Sequence, residues 1–492
     1  MTRLTSRDAG LLSLTVMLAL SLRLWKLDAS LWYDEVLTLV KFVRLSPLEA
    51  LTTYTSLNNH LFFTLQAQAS VALFGESAWA LRLPAVIFGV ATIPVLFLLV
   101  RQIGGGLVLA HVSALLLAAN YHHIWFSQNA RGYTGLIFWC LLAVMAFVEG
   151  ARNRGRLSWV LLSLAAAAAL FTHLSAAFFL LSFAVCYGLA AVLPPLRAGA
   201  PGLASATPLI AVPLTAVLVL VLYAGAIPDI LATFQDVATP TLSPGGQEAI
   251  PEWRTPLWTL LEVLRSLPLP LPVTMVAAPA LLVVMGAGLA AIWRLCPPLA
   301  VLIPVSIGVT FALLLALGMR IWPRYFLADL PFLLIMAAAG TLALGQVIGR
   351  LVQRPGLGRT LGQAGLVLGV LASLFWATRN YASPKQDFAG AIAVIEAGAA
   401  PGDARASFGL AATPIATYFR PDWAVLETAA DLDALLAKGR PVWIVYGFAD
   451  HSRAHHSDIM ARIASQFDEV ASLPGTLGVG WLTVVRSKEG ND

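Results

Sequence analysis

Apolar runs too long for the core of a water-soluble domain decide what this chain can fold into. They lie near 10–25, 83–100, 107–121, 133–148, 157–171, 174–193, 208–227, 272–293, 299–317, 331–348 and 361–377. Each is roughly 16 to 22 residues, the length a helix needs to cross about 30 Å of hydrocarbon. Composition agrees, with 59% hydrophobic residues, 12% charged residues and a mean hydropathy of +0.79, whereas soluble domains carry about 25% charged residues. The chain reads as an α-helical polytopic membrane protein with about eleven transmembrane helices.

The first run is not a removable signal peptide, because Arg23 and Lys26 stand where a small-residue cleavage site belongs. Cys140, Cys186 and Cys296 lie in or beside apolar runs, which suggests core thiols rather than disulfides or a metal cluster. The net charge of +5 comes largely from arginines in short loops, so topology explains it and a nucleic-acid partner is not expected. With a cytoplasmic N-terminus, the inner loops hold Arg3, Arg7, Arg101, Arg152, Arg154, Arg156, Arg197, Arg294, Arg350, Arg354 and Arg359. Cations are then several times denser inside than outside, as the positive-inside rule requires. An odd number of spans exports the tail.

Two domains follow: a transmembrane domain over 1–378, whose first outer loop covers 26–82, and an extracytoplasmic domain over 379–492. The tail alternates helix-like QDFAGAIAVIEAG, DLDALLAKG and DIMARIASQF with short β-rich ARASFGL, PVWIVYGF and GWLTVVRS. That pattern predicts a small α/β domain. Its His451, His455 and His456 suit either a metal ion or a solvated helix start.

Polar groups recur at the outer ends of the spans. The loop after the first helix carries WYDE, with Asp34 and Glu35, and NNH, with Asn59 and His60; SQNARGY holds Arg131 and Tyr133, FTHLS holds His173, and MRIWPRYF holds Arg324 and Tyr325. Adjacent residues point about 100° apart on a helix and to opposite faces of a strand. Asp34 and Glu35 therefore do not share one pocket, and one works while the other anchors the segment. An arginine at membrane depth is costly unless paired or used, which marks Arg131 and Arg324 as anion ligands; snorkelling to the interface is the alternative. For Asp34 and Glu35 the alternative is a loop that simply packs, and for His173 a satisfied helix end. Tyr133 and Tyr325 suit a sugar face or an aromatic belt equally.

The order LWYDE, NNHLFFTL, FGESAWALRLPAVIFG, SQNARGY, THLSAAF and RYFLADLP resembles the GT-C membrane glycosyltransferases over about the first 350 residues. The likeness is to bacterial members of family 39, relatives of the protein O-mannosyltransferases, and to the aminoarabinose transferase of lipid A. It implies a GT-C type fold in a bacterial cytoplasmic membrane and a polyprenyl-phosphate-linked sugar as donor. It also implies a catalytic aspartate at Asp34. The acceptor is a lipid, glycan or protein hydroxyl; no cofactor is certain, and a divalent metal is compatible with the site.

Residue chemistry suits that role. Asp34 as general base takes the acceptor hydroxyl proton while one displacement inverts the anomeric carbon. Arg131 and Arg324, with Tyr325, meet the charge on the leaving phosphate. Glu35, Asn59, His60, His173 and Tyr133 bind acceptor or sugar, or support the site. A lipid transporter or flippase is the competing class. It would place ionisable groups near the bilayer midplane, often in two related halves, and no half-to-half repeat is visible. A non-catalytic protein presenting the exported domain is a third class.

Overall fold

The computed structural model describes residues 5–153, 155–238, 271–319, 321–477 and 480–488, so Arg3 and Arg154 lie outside the described residues. The helices used below are α1 (Ser6–Leu24), α2 (Tyr33–Thr38), α3 (Leu61–Phe74), α4 (Ala78–Gln102), α5 (Leu107–Ala118), α6 (Tyr121–Ser127), α7 (Tyr133–Asn153), α8 (Arg156–Thr172) and α9 (Ala176–Val192). They continue with α10 (Ala211–Tyr223), α11 (Ile227–Ala238), α12 (Leu271–Leu295), α13 (Pro297–Ala316), α14 (Leu330–Leu351) and α15 (Pro355–Ala377).

Each apolar run in the sequence falls on a helix, but two of them bend. Six helices among the described residues are long and apolar enough to cross a membrane, and eight if each bent pair counts as one span. The run at 107–121 stops at Ala118 and turns 56° into α6; the run at 208–227 turns 92° into α11. Hydropathy is blind to such breaks, because the residues on both sides of them remain apolar.

The chain forms two compact units: Met1–Leu24, His60–Phe63 and Pro84–Ala377 in one, Trp25–Asn59, Thr64–Leu83 and Thr378–Asp492 in the other. In the helical unit, small residues let backbones touch. A Cβ on Gly345 of α14 would sit 2.5 Å from the Gly358 carbonyl oxygen of α15, and one on Gly358 would sit 2.4 Å from the Gly345 carbonyl oxygen. With no hydrophobic effect between helices in lipid, this backbone approach supplies the dispersion that holds them.

In the second unit a five-stranded sheet has the order β2-β1-β3-β5-β4. Its strands are β1 (Ala404–Phe408), β2 (Ala424–Leu426), β3 (Val442–Gly447), β4 (Phe467–Leu473) and β5 (Leu482–Ser487). β1 pairs parallel to β2 and β3, while β5 pairs antiparallel to β3 and β4. Both faces of β3 are covered. Trp443 and Val445 pack with Phe388, Ile392 and Ile395 of the helix Phe388–Gly398, and Val442, Ile444 and Tyr446 pack with Leu432, Ile459 and Ile463. This explains why PVWIVYG reads as a continuous apolar run instead of an alternating one. β2 and β4 escape the sequence reading because one has three residues and the other, FDEVASL, is polar and largely exposed.

Candidate active site

Asp34 sits in the first turn of α2, whose N-terminal geometry is set by its neighbour Glu35. Glu35 is fully buried and forms a two-pronged pair with Arg82, Nε to Oε1 at 2.8 Å and Nη2 to Oε2 at 2.6 Å. The Trp32 N–H also donates to Glu35 Oε2, at 3.3 Å. The remaining Arg82 protons go to the carbonyls of Leu27, Ala29 and Ser30 at 2.6, 2.7 and 3.1 Å. Every strong donor of the guanidinium is used, which is the condition under which a buried ion pair is tolerated. Glu35 is therefore the anchoring acid. Asp34 is only half-buried, and its carbonyl accepts from Asn58 Nδ2 at 3.0 Å and from Thr38 Oγ1 at 2.9 Å.

Other groups tie this turn to the C-terminal residues of the same unit. The Tyr33 N–H donates to Gln386 Oε1 at 3.0 Å, and the Tyr33 ring meets Phe448 edge-on with centroids 6.1 Å apart. Burial, together with the Asp34 carboxylate, pushes the Tyr33 hydroxyl up to about 12. Lys385 is buried close to the ion pair. Burial drives its ammonium down to about 7, Glu35 opposing and Arg82 reinforcing the shift. Asn59 spends its amide internally, with Nδ2 on the Thr53 carbonyl at 2.8 Å and Oδ1 accepting from Thr64 Oγ1 at 2.9 Å.

The helical unit gathers His60, Arg131, Tyr133 and His173. Arg131 lies in the tight turn between α6 and α7, and His173 breaks the chain between α8 and α9 with an extended backbone. The His60 and His173 rings lie 4.2 Å apart, with Tyr133 at 5.4 and 4.9 Å from them, and the Arg131 guanidinium is 5.5 Å from the Tyr133 ring. His60, Arg131 and Tyr133 are buried. Arg324 is exposed, stacks on Trp322 at 5.2 Å and acts electrostatically on both histidines. Tyr325 meets Phe178 of α9 edge-on at 5.8 Å.

Backbone donors fix how these histidines carry their protons. The Gly132 N–H donates to His60 Nδ1 at 2.7 Å, and the Ser175 N–H donates to His173 Nδ1 at 3.1 Å. A neutral imidazole that accepts at Nδ1 must carry its proton on Nε2. Burial favours the neutral form of both rings, holding His60 well below the usual histidine range and bringing His173 down to about 3; His173 adds to the shift of His60, and Arg131 and Arg324 push both the same way. His60 Nε2–H thus faces Arg131 Nη2 at 3.2 Å, donor to donor. His173 Nε2–H is buried with no hydrogen-bond partner among the described residues. A guanidinium and two imidazoles gathered in one buried place can supply the donors that an anion site requires.

A second buried arginine shapes the helices behind Arg131. Arg23 of α1 donates to Ser127 Oγ at 3.0 Å and to the carbonyls of Ala19, Ala118 and Leu117 at 2.9, 3.0 and 3.5 Å, and contacts His123 Nδ1 at 2.6 Å. Leu117 and Ala118 close α5, so the guanidinium satisfies the carbonyl end of the broken helix and its dipole. Gln128 Nε2 returns a bond to the Arg23 carbonyl at 3.0 Å.

Nearby in the same unit, α8, α9 and α10 enclose an apolar cavity of about 420 Å³ lined by Trp159, Ala166, Leu170, Ala177, Phe183 and Val212. Among the described residues, no group of three or more His, Cys, Asp or Glu side chains is disposed to hold a metal ion. The His451 and His455 rings lie 4.3 Å apart, tilted to each other, in the helix Ala449–His455, and His456 lies edge-on to Phe408.

Sequence reasoning passed over Arg82, Gln386, Lys385 and Arg23. Arg82 and Arg23 carried a usable signal, as arginines at the ends of apolar runs. Gln386 carried none.

The apolar helices and the small C-terminal α/β sheet make up an ArnT-like fold. Along nearly its whole length the chain is similar to ArnT from Cupriavidus metallidurans. In the apo state of that protein the TM-score is 0.55 at 16% identity, covering 98% of this chain and 99% of the other; in its undecaprenyl-phosphate-bound state the TM-score is 0.53 at 16% identity, covering 97% and 98%. The apo oligosaccharyltransferase of Archaeoglobus fulgidus gives 0.55 at 12% identity, over 94% of this chain and 73% of that one. The dolichyl-phosphate-mannose-protein mannosyltransferase family model matches residues 61–224. A comparison with curated proteins found no match.

Proposed function

We propose that this chain is an inverting glycosyltransferase that moves a sugar from a polyprenyl-phosphate carrier to a hydroxyl acceptor at the outer face of a bacterial cytoplasmic membrane. The observation that carries the reading is the pair of imidazoles, His60 and His173, each accepting a backbone N–H at Nδ1 and gathered with Arg131 around Tyr133. Such a cluster stabilises an oxyanion more than its absence does, and the anion that grows in this reaction is the leaving phosphate. Arg131, with Arg324 and Tyr325, holds the phosphate, and the two histidines add directional donors. Asp34 takes the acceptor proton as the new C–O bond forms and the anomeric C–O bond to phosphate breaks; the carrier departs as polyprenyl phosphate. Glu35 and Asn58 keep the base in place, Asn59 supports the loop through Thr53 and Thr64, and Tyr133 borders the sugar. The isoprenoid tail lies in the apolar cavity, whose Leu170 and Ala177 flank His173 within four residues on each side.

The ArnT and oligosaccharyltransferase structures that share the fold have been solved with undecaprenyl phosphate and with dolichol phosphate and an inhibitory peptide, respectively, which supports a lipid-phosphate carrier here. Purified protein in vesicles, supplied with a radiolabelled polyprenyl-phosphate sugar and an envelope extract as acceptor, is expected to release polyprenyl phosphate as label moves. Arg131→Lys keeps a charge and loses the planar fork, so donor KM rises by about 10-fold or more while acceptor KM holds. Wild-type protein that consumes no lipid-linked sugar overturns the reading.

A further inference from the structure

Gln386 lies in the short segment Pro384–Asp387 that leads into the C-terminal sheet, and it is completely buried. The segment is pinned on both sides. Thr476 N–H donates to the Pro384 carbonyl at 2.9 Å, Leu477 N–H to the Lys385 carbonyl at 3.3 Å, and the Asp387 carboxylate caps the next helix through Gly390 N–H at 2.9 Å. Gly475 must be glycine for this approach, since a Cβ there would stand 2.2 Å from the Lys385 carbonyl oxygen. A side chain on so rigid a support has a defined direction.

Its amide orientation is equally defined. Tyr33 N–H is a donor, so the atom facing it at 3.0 Å is Oε1 and the other atom is the NH₂ group. That Nε2 is buried and has no hydrogen-bond partner among the described residues. A buried donor left open is rare in folded proteins and calls for an oxygen partner, from a ligand or an ordered water. Oε1 and Nε2 share one carbon, so the open donor stands beside the first turn of α2, the turn that carries Asp34.

We infer that Gln386 forms part of the acceptor site: Oε1 sets the Tyr33–Asp34 turn, and Nε2 donates to an oxygen of the hydroxyl-bearing acceptor. The inference rests on the glycosyl-transfer reading and deepens it. It gives the C-terminal residues a specific task, because the base from the first loop and the donor from the Pro384–Asp387 segment then address the same substrate. The oxygen that Nε2 binds is a lone-pair acceptor on the molecule that attacks, such as a second hydroxyl or a carbonyl next to the nucleophile. The transferred proton goes to Asp34, and Gln386 exchanges none.

Two substitutions separate the two ends of the amide. Gln386→Glu keeps an oxygen for Tyr33 N–H and removes the open Nε2 donor; Gln386→Met removes both. Wild-type transfer is measured first, and its absence refutes the transferase reading whatever the variants do. With wild type active, the expected result for Gln386→Glu is an acceptor KM raised about 10-fold with donor KM unchanged. The same shift is expected at every pH from 6 to 9, which distinguishes donor loss from an altered ionisation of Asp34. Gln386→Met is expected to raise acceptor KM equally and to lower kcat as well, because the Asp34 turn is released. Wild-type acceptor KM in Gln386→Glu, with loss only in Gln386→Met, overturns the acceptor contact and leaves Gln386 as a brace for Tyr33. A rise in donor KM instead of acceptor KM also overturns it.

Discussion

Asp34 and Glu35 are chemically similar neighbours with different environments, and the difference predicts opposite failures. Glu35 is sealed against Arg82, so Arg82→Met leaves an uncompensated buried carboxylate and should cost about 3–5 kcal/mol of stability, read as a lowered Tm in detergent. Asp34→Asn should leave Tm near wild type while turnover falls by about 100-fold or more with donor binding intact. A fully active Asp34→Asn protein ends the assignment of Asp34 as base.

The histidine pair makes a prediction with a sign. Its folded-state affinity for protons is lowered, to about 3 for His173, whereas the unfolded chain titrates near about 6.5. The unfolded state therefore takes up protons first as pH falls. Stability contributed by the neutral ring is whole above about pH 6.5 and drains away as pH drops toward 3. Thermal unfolding followed from pH 7 to pH 4 should steepen in wild type relative to His173→Gln, which has nothing to titrate there. Equal slopes would mean that the ring is charged or solvated in the folded protein.

At the scale of elements, breaks in helices do the positioning. The turn between α6 and α7 presents Arg131 and also locks His60 through Gly132 N–H, and it passes close to the end of α8. A Cβ on Gly132 would lie 2.8 Å from the Thr172 carbonyl oxygen and 3.1 Å from His60 Nδ1. Gly132→Ala should therefore push the turn outward, break the Nδ1 lock and weaken donor binding by about 10-fold, the scale of one lost hydrogen bond. Titration of the variant with polyprenyl phosphate checks this without any turnover, and wild-type affinity would remove the turn from the donor site. Behind it, Arg23 holds the carbonyl end of α5, so the kink that delivers the turn is a product of satisfied hydrogen bonds and not of a proline.

For the whole molecule, the arrangement of cations makes the most direct test of orientation. A reporter that is active only outside the cytoplasm, fused after Asp492, should be active, and one inserted after Gly155 should stay silent. The reverse pattern would put the proposed site on the wrong side of the membrane for this reading.

Apolar length, cation bias and the tail's alternation were legible in the sequence because they are additive properties of consecutive residues. They gave the helical membrane class, the runs that become helices and the α/β character of the tail. The polar motifs at helix ends, including Asp34, Arg131 and His173, were also visible, since a polar residue at an apolar boundary stands out in one dimension. What the sequence could not show depends on partners distant along the chain. The burial of Glu35 follows from Arg82, 47 residues away, and the gathering of Gln386 onto Tyr33 spans 353 residues. The backbone N–H groups that face His60 Nδ1 and His173 Nδ1 likewise come only with the fold, and no side-chain pattern encodes them. Only folding decides which donor meets which acceptor, because a hydrogen bond is directional and short while composition and hydropathy are neither.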